Sequence, residues 1–565
     1  MRRRIAGGLS VVAALAVVLT VGVRPTSAAW VSTARLGEDV AVTSPACTTP
    51  GVYRTTAASR YLAGTVGGVS LTAASALAPM TADNPATTAS FPAGATPRGT
   101  DAASGTATNA AVAAALQTAG GVAALTAPSG AQTQVAGATS TGRSTAGAGA
   151  VTTAGAIDTA GIGTGTRAAV GAIDVSALLA SVSGGTAAAG SLSQLGLAVG
   201  SAAASASLDE CARRWGAPLS SALTRSTTVS SLSLTTKDAA VTTLLGSIAT
   251  QRAAVSDAFT TLTAGAATSP AEAAIATTAQ SGLAGAVSGA LAAIGVSGTV
   301  GAPTATVSIT PDLAGVASAA SGTASGGSGL SRVDGSSGVL TADLARLADP
   351  TNPAPNTAVL TAADATAVSG AVSSAASTVV GDVGTAWDAA VSNAVVTVDV
   401  AVPVTALGVP ILTVQQTMTG TVADFLTPGH VWAAPAVTIL GAIPAGPLLA
   451  ALTPRLASLL LGPVQTAVGS AVSVPMTAAV STAKATLATS LATARAALPT
   501  ELARLSTLFA ITLDEQPDVA PFPAAAAGTG AGYRATALRL RVAGGAALDL
   551  AIATASVGPD RTINE

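Results

Sequence analysis

Residues 195–211 read Leu195-Gly196-Leu197-Ala198-Val199-Gly200-Ser201-Ala202-Ala203-Ala204-Ser205-Ala206-Ser207-Leu208-Asp209-Glu210-Cys211. Leu195, Leu197 and Val199 alternate with Gly196, Ala198 and Gly200, a period of two that gives a strand with one buried face. A second alternation runs from Val229 to Leu234. The period then changes. After Asp238, a candidate cap, Val241, Leu244, Ile248, Val255, Phe259 and Leu262 recur at spacings of three, four or seven. They mark one face of a helix of about seven turns that Gly265 ends.

The same two periods recur further along. Ala362 to Trp387 favours helix, and Val395, Val396, Val398, Val400 and Val402 read as strand. Leu487, Leu491, Leu498, Leu502, Leu505 and Phe509 follow near-heptad spacing between Ala478 and Leu508, with Pro499 expected to kink that helix or start a new one. The C-terminal part returns to strands over Leu508–Leu513, Tyr533–Val542 and Ala547–Val557. Arg539 and Arg541 alternate there with Leu538, Leu540 and Val542, the pattern of a strand with one wet face. Residues 84–170 are poor in large side chains and suit either a flexible linker or thin, tightly packed strands, with the context favouring strands.

The expected class is α+β: a β-rich, sandwich-like body from the N- and C-terminal segments, carrying long Ala/Leu-rich amphipathic helices in the central and C-terminal parts. The division reads as a signal peptide over 1–29 and a β-rich region over 30–235. A helical and Gly/Ser-rich region follows over 236–390, then strands, a long helix and terminal strands over 391–565, in one body with 30–235.

Composition narrows the chemistry. The 565 residues carry 25 basic against 27 acidic side chains, one His and only 2% aromatics, so a cationic, base-stacking nucleic-acid surface is not expected. With 49% hydrophobic residues the chain has enough apolar surface to fold.

Met1-Arg2-Arg3-Arg4, the uncharged run Ile5–Val23, and the small residues up to Ala28 and Ala29 are the three parts of a signal peptide, with cleavage after one of those two alanines. A retained N-terminal anchor is the other reading, because the apolar run is near the shortest that spans a bilayer. Export places Cys47 and Cys211, the two cysteines, in an oxidising compartment where they should pair; two buried free thiols are the alternative. The uncharged run Val431–Pro454 is cut by Pro435, Pro444 and Pro447 and reads as strand and loop before a short helix near Leu456–Leu461, with no stable membrane span after cleavage. The ending Thr562–Glu565 shows neither an apolar tail nor a Leu-Pro-x-Thr-Gly signal, so release or non-covalent retention at the cell surface is expected.

Three constellations invite chemistry. Ser481-Thr482-Ala483-Lys484 has the Ser-x-x-Lys spacing in which a lysine one turn away takes the serine proton, but no Ser-Asp-Asn or Lys-Thr-Gly element accompanies it. His430 has no Gly-x-Ser-x-Gly elbow to serve and reads as a loop histidine. Asp514, Glu515 and Asp518 form the densest acidic cluster, read as a solvated turn, with calcium or glycan acid–base chemistry as rivals. No catalytic residue, resident metal or cofactor is expected.

Several segments together resemble the choice-of-anchor G family. They are Ala29-Trp30-Val31, Cys47 with Ala58–Gly64, Ala146–Ile157, Ala204–Leu208 before Cys211, and Thr536–Leu540 with Ala555–Pro559. The resemblance implies an exported protein of Gram-positive bacteria, actinobacteria above all, displayed at the surface or secreted, and it carries no reaction. The expected function is a structural or adhesive surface protein whose partners are itself or cell-wall components. The alternative is a protein that binds or cleaves wall glycan or polysaccharide.

Overall fold

The computed structural model describes residue 47 and residues 51–71, 79–84, 96–97, 102–108, 124–126, 130–163, 167–176, 192–263, 270–293, 297–406, 409–427, 429–432, 436–439, 462, 464–519 and 532–562. The signal-peptide reading with Ala28 and Ala29, and the short helix near Leu456–Leu461, lie outside the described residues. From Cys47 onward the chain forms one compact unit.

The class is α+β: four antiparallel sheets and four long helices. In the terminal sheet, the first long strand, Tyr53–Val66, lies beside the last, Leu548–Val557, with Ala57 opposite Val557 and Val66 opposite Leu548. Gly532–Val542, Phe509–Glu515 and Thr357–Val359 continue that sheet on one side, and Met80–Asn84 pairs with Tyr53–Val66 on the other. The two chain ends thus meet in one sheet, as the terminal alternations require.

A second sheet, ordered Leu223–Val229, Ala202–Asp209, Arg143–Gly149, Ala131–Ala138, Ala102–Thr108 and Thr96–Pro97, faces the first strand for strand. Its inner surface is built from Ala136, Ala138, Ala146, Ala148, Ala202, Ala204 and Ala206, and the facing surface contributes Ala57, Ala535, Ala537 and Ala555, all buried. Methyl groups meeting methyl groups bring Cα atoms of opposite sheets within 8 Å, closer than the ~10 Å of sheets with ordinary side chains. The other face of this sheet is packed as closely by the loop that follows it, since a Cβ on Gly147 would stand 2.5 Å from the Gly155 carbonyl oxygen. Low side-chain volume is the condition for this sandwich.

The third sheet joins Leu232–Asp238 to Leu192–Val199 on one side and to the hairpin strands Val339–Asp343, Ser331–Asp334 and Thr323–Gly326 on the other. The alternation read as one strand over Val229–Leu234 is therefore two strands, Leu223–Val229 and Leu232–Asp238, broken at Ser230–Ser231 and belonging to different sheets. The fourth sheet centres on Val395–Ala406 and Val409–Thr421, with Thr304–Thr310 and Gly298–Val300 along one edge and Ala436–Ile439 along the other.

The long helices are α1 (Ala239–Thr263), α2 (Pro270–Ala293), α3 (Ala362–Ser392) and α4 (Val474–Leu508). Helix α1 begins on Asp238, which accepts the Val241 N–H at 3.0 Å, and α3 begins on a Thr361/Asp364 capping box. On α4, Met476, Val480, Ala483, Leu487, Leu491, Ala494, Leu498, Leu502 and Leu505 form one buried stripe against α1 and α3. The helix runs unbroken through Pro499, which leaves only the Arg495 carbonyl without its usual donor.

One polar contact ties α4 to the start of α1. Asp238 is buried, and the Glu501 carboxyl hydrogen-bonds to it. Burial first, then the hydrogen bond and charge of Asp238, push the Glu501 carboxyl up to about 8, with Arg504 working against them. Because this folded value is raised, the contact stabilises fully below the ordinary carboxylate range and fades as pH rises towards 8. Glu501→Gln supplies a permanent N–H donor to Asp238. The variant is expected to match the wild type at pH 5 and to exceed it by about 1 kcal/mol at pH 8, a modest figure because Glu501 is only partly buried. Urea unfolding at the two pH values checks this, and a variant with the wild-type pH slope contradicts it.

Candidate functional site

Four places in the molecule gather chemistry-bearing side chains, and the first is the disulfide corner. Cys47 and Cys211 are joined, with Cα atoms 5.8 Å apart. Cys211 sits in a one-turn helix, Glu210–Arg214, whose cap Asp209 accepts the Ala212 N–H at 2.9 Å. The strand Ala202–Asp209 delivers this helix to the sandwich rim beside buried Tyr53. Gly142 has φ +87° there, and a Cβ on it would lie 3.0 Å from the Tyr53 ring and 3.2 Å from the Cys211 nitrogen, so only glycine fits the turn. Glu210, its side chain 1% exposed, accepts from Arg213 at 2.5 and 2.6 Å and from Arg214 at 3.1 Å. Nearby Asp560 accepts from Ser144 Oγ at 2.7 Å and from the Thr56 N–H at 3.0 Å. Burial raises the Asp560 carboxyl to about 7 against the pull of those two donors, and the Glu210 charge adds to the rise. The disulfide and the two hydrogen bonds to Asp560 join distant chain segments, while the Glu210 pairs brace the short helix that carries Cys211, and the corner reads as a clasp.

The second is the acidic cluster. Asp514 and Glu515 do not form a solvated turn: they end the strand Phe509–Glu515 inside the terminal sheet. Asp514, 4% exposed and at φ 50°, accepts from Gln516 Nε2 at 2.8 and 2.7 Å. Glu515 accepts from Arg539 at 2.7 and 2.9 Å and from Arg541 at 2.9 Å, while Arg539 also grips Asp549 at 2.8 and 2.7 Å. Two arginines on a central strand are thus held between carboxylates of both flanking strands. The hydrogen bonds from Arg539 hold the Asp549 carboxyl below its ordinary range, and they raise Arg539 in turn. Asp518 pairs by its backbone with Tyr533, and its side chain is outside the description. No group of three or more His, Cys, Asp or Glu able to hold a metal ion occurs among the described residues. A calcium ion would have to displace the arginines from Glu515.

Lys484 and His430 are also placed. The Lys484 ammonium donates to both oxygens of Asp388 on α3 at 2.6 Å, a surface pair that turns it away from any role as base for Ser481. His430 lies with its ring 4.4 Å from Trp432 and Nδ1 3.6 Å from Asp424, a loop histidine against an aromatic.

Two surface depressions escaped sequence reasoning. An open groove of about 560 Å³ runs between α1, the helix Ala314–Ser321 and the turn Asp334–Gly338, with Lys237 and Arg252 among its lining. A shallower one, about 320 Å³, lies on the outer face of the fourth sheet, lined by Thr304, Thr306, Asp399, Ala401, Gln415 and Thr417. Its signal in the sequence was Thr-x-Thr alternation, as in Thr304-Ala305-Thr306 and Thr417-Met418-Thr419, which reads locally as an ordinary wet strand face.

The fold and these sites define a disulfide-clasped α+β body in which Glu515, Arg539, Arg541 and Asp549 pair across strands, while among the described residues buried Arg60 has no partner for its Nε or Nη2. The chain belongs to the DUF8394 family, described as a domain of unknown function, whose model matches residues 57–558, from the first strand of the terminal sheet to the end of the last. No curated protein and no solved structure matches it. No helix among the described residues is long and apolar enough to cross a membrane.

Proposed function

We propose that this is an exported bacterial surface or secreted protein, structural or adhesive and without catalytic activity, of the kind the choice-of-anchor G resemblance implies. The observation that carries the reading is the Cys47–Cys211 bond in a chain that opens on a signal-peptide pattern, because disulfides form and persist in oxidising compartments outside the cytosol. The commitment of Glu515, Lys484 and Glu210 to ion pairs supports a protein that works through its packed exterior. Its partners on this reading are other copies of the chain or components of the wall.

Fractionating cells of the source bacterium into medium, wall, membrane and cytosol, with intact mass measured before and after thiol alkylation, tests the proposal. The expected species begins after Ala28 or Ala29, is found in medium or wall, and takes up alkylating reagent only after reduction. Recovery of the uncleaved chain with free thiols from the cytosol, or solely with the membrane, defeats it.

A further inference from the structure

The fourth sheet has two unlike faces. Inward, Val307, Val396, Val398, Val400, Val402, Val404, Leu412, Val414 and Met418 are buried. Outward, the strand register sets hydroxyl-bearing residues in rows: Thr306, Asp399 and Thr417 in one, Ser308, Thr397 and Thr419 in the next, Thr304, Ala401 and Gln415 on the other side. Neighbouring strands lie ~4.8 Å apart and alternate residues ~6.8 Å apart along each, so the rows form a regular polar lattice. Hydroxyls within it already meet across strands, Thr397 with Thr419 at 3.2 Å and Thr299 with Thr405 at 3.1 Å.

At Ala401 the lattice dips, because a methyl group stands where the neighbouring rows carry longer side chains, and this dip is the 320 Å³ depression. Thr417 donates to Asp399 Oδ1 at 2.5 Å, which fixes the carboxylate and leaves Oδ2 turned to other donors. Gln415 is exposed, and among the described residues its amide has no partner. The depression therefore offers a planar carboxylate, a planar amide with both donor and acceptor, and the hydroxyls of Thr304, Thr306 and Thr417. Asp399 is the one ionised group in these rows, which disfavours a polyanion. The surrounding surface lacks the apolar lining that an aliphatic ligand needs. Planar acceptor and donor groups side by side match adjacent hydroxyls on one ring, and the repeated rows continue the match beyond a single ring.

We propose that this face binds a neutral glycan chain, with one sugar ring seated at Ala401 between Asp399 and Gln415 and further rings lying over the threonine rows. The inference gives the adhesive reading above its ligand class and rests on it only for where that ligand is met; binding to purified polysaccharide does not depend on location. The test uses the full oxidised chain, with Asp399→Ala, Gln415→Ala and the double variant, in co-sedimentation with insoluble glucan, mannan and poly-N-acetylhexosamine. Both positions are exposed on a sheet whose other face is buried, so unfolding midpoints should not move. Retention by at least one polysaccharide is expected, weakened on the order of tenfold by each single change and further by the double. Absence of retention by all three, or undiminished retention of the double variant, overturns the proposal. So does retention only by wall material that still carries its anionic polymer, which would point instead to the groove of Lys237 and Arg252.

Discussion

Replacing Cys47 and Cys211 together with Ser is expected to lower the unfolding free energy by about 5 kcal/mol, the chain-entropy cost of freeing a loop of 164 residues in the unfolded state. Against a typical stability of roughly 5–15 kcal/mol, that loss takes away a third of the total or more. Urea unfolding of the double variant beside the oxidised wild type measures it as a fall in midpoint. The consequence is also local. The bond fixes residue 47 just ahead of Tyr53, the first residue of the first long strand of the terminal sheet, so amide exchange over Tyr53–Thr56 should accelerate before that of Leu548–Val557. An unchanged midpoint would mean that Asp560, through Ser144 and the Thr56 N–H, holds this corner without the disulfide.

How much of this was legible depended on side-chain size. The leucine part of the α4 stripe was legible because leucines at heptad spacing contrast sharply with Ala and Thr, and each of Leu487, Leu498, Leu502 and Leu505 is buried, whereas Phe509, counted with them, opens the next strand and Met476, Val480, Ala483 and Ala494 went unread. The meeting of the two chain ends in one sheet followed from the order of elements, strands at both ends enclosing helices in the middle. Helix α2 was missed: its buried residues are Ala271, Ile275, Ala279, Leu283 and Val287, a stripe with alanine at two of five positions in an alanine-rich chain. The stretch Ser321–Ser337 read as a Gly/Ser-rich region, yet it holds the strands Thr323–Gly326 and Ser331–Asp334 of one hairpin. There the tertiary partner decides, since Gly326 sits so close to α3 that a Cβ would meet the Ala371 carbonyl oxygen. The acidic cluster went the same way. Asp514 and Glu515 look solvated until Arg539 and Arg541, two dozen residues later, are laid beside them by the register of the terminal sheet. Local composition cannot report a partner that only the fold supplies.

A cavity at Trp387 is expected to cost nearly as much as the disulfide. Trp387 is fully buried on α3, and the stripe around it consists of Val379, Val383, Ala390 and Val391, with Ala375 and Ala376 one turn further back. In a chain with 2% aromatics it is the one bulky plug on that face. A close-packed core relaxes only partly around a deleted side chain, so Trp387→Ala should leave much of the hole open and cost about 3–5 kcal/mol, the usual range for such a truncation. Trp387→Phe separates volume from polarity. The Trp387 Nε1–H is buried without a hydrogen-bond partner, so losing it forfeits no bond, and the smaller ring should cost only about 1 kcal/mol. Urea unfolding of both variants with the slope held constant decides it: a midpoint for Trp387→Ala close to that of Trp387→Phe would show that the side chains of α3 and α4 close over the gap, and that this helix layer is softer than its burial implies.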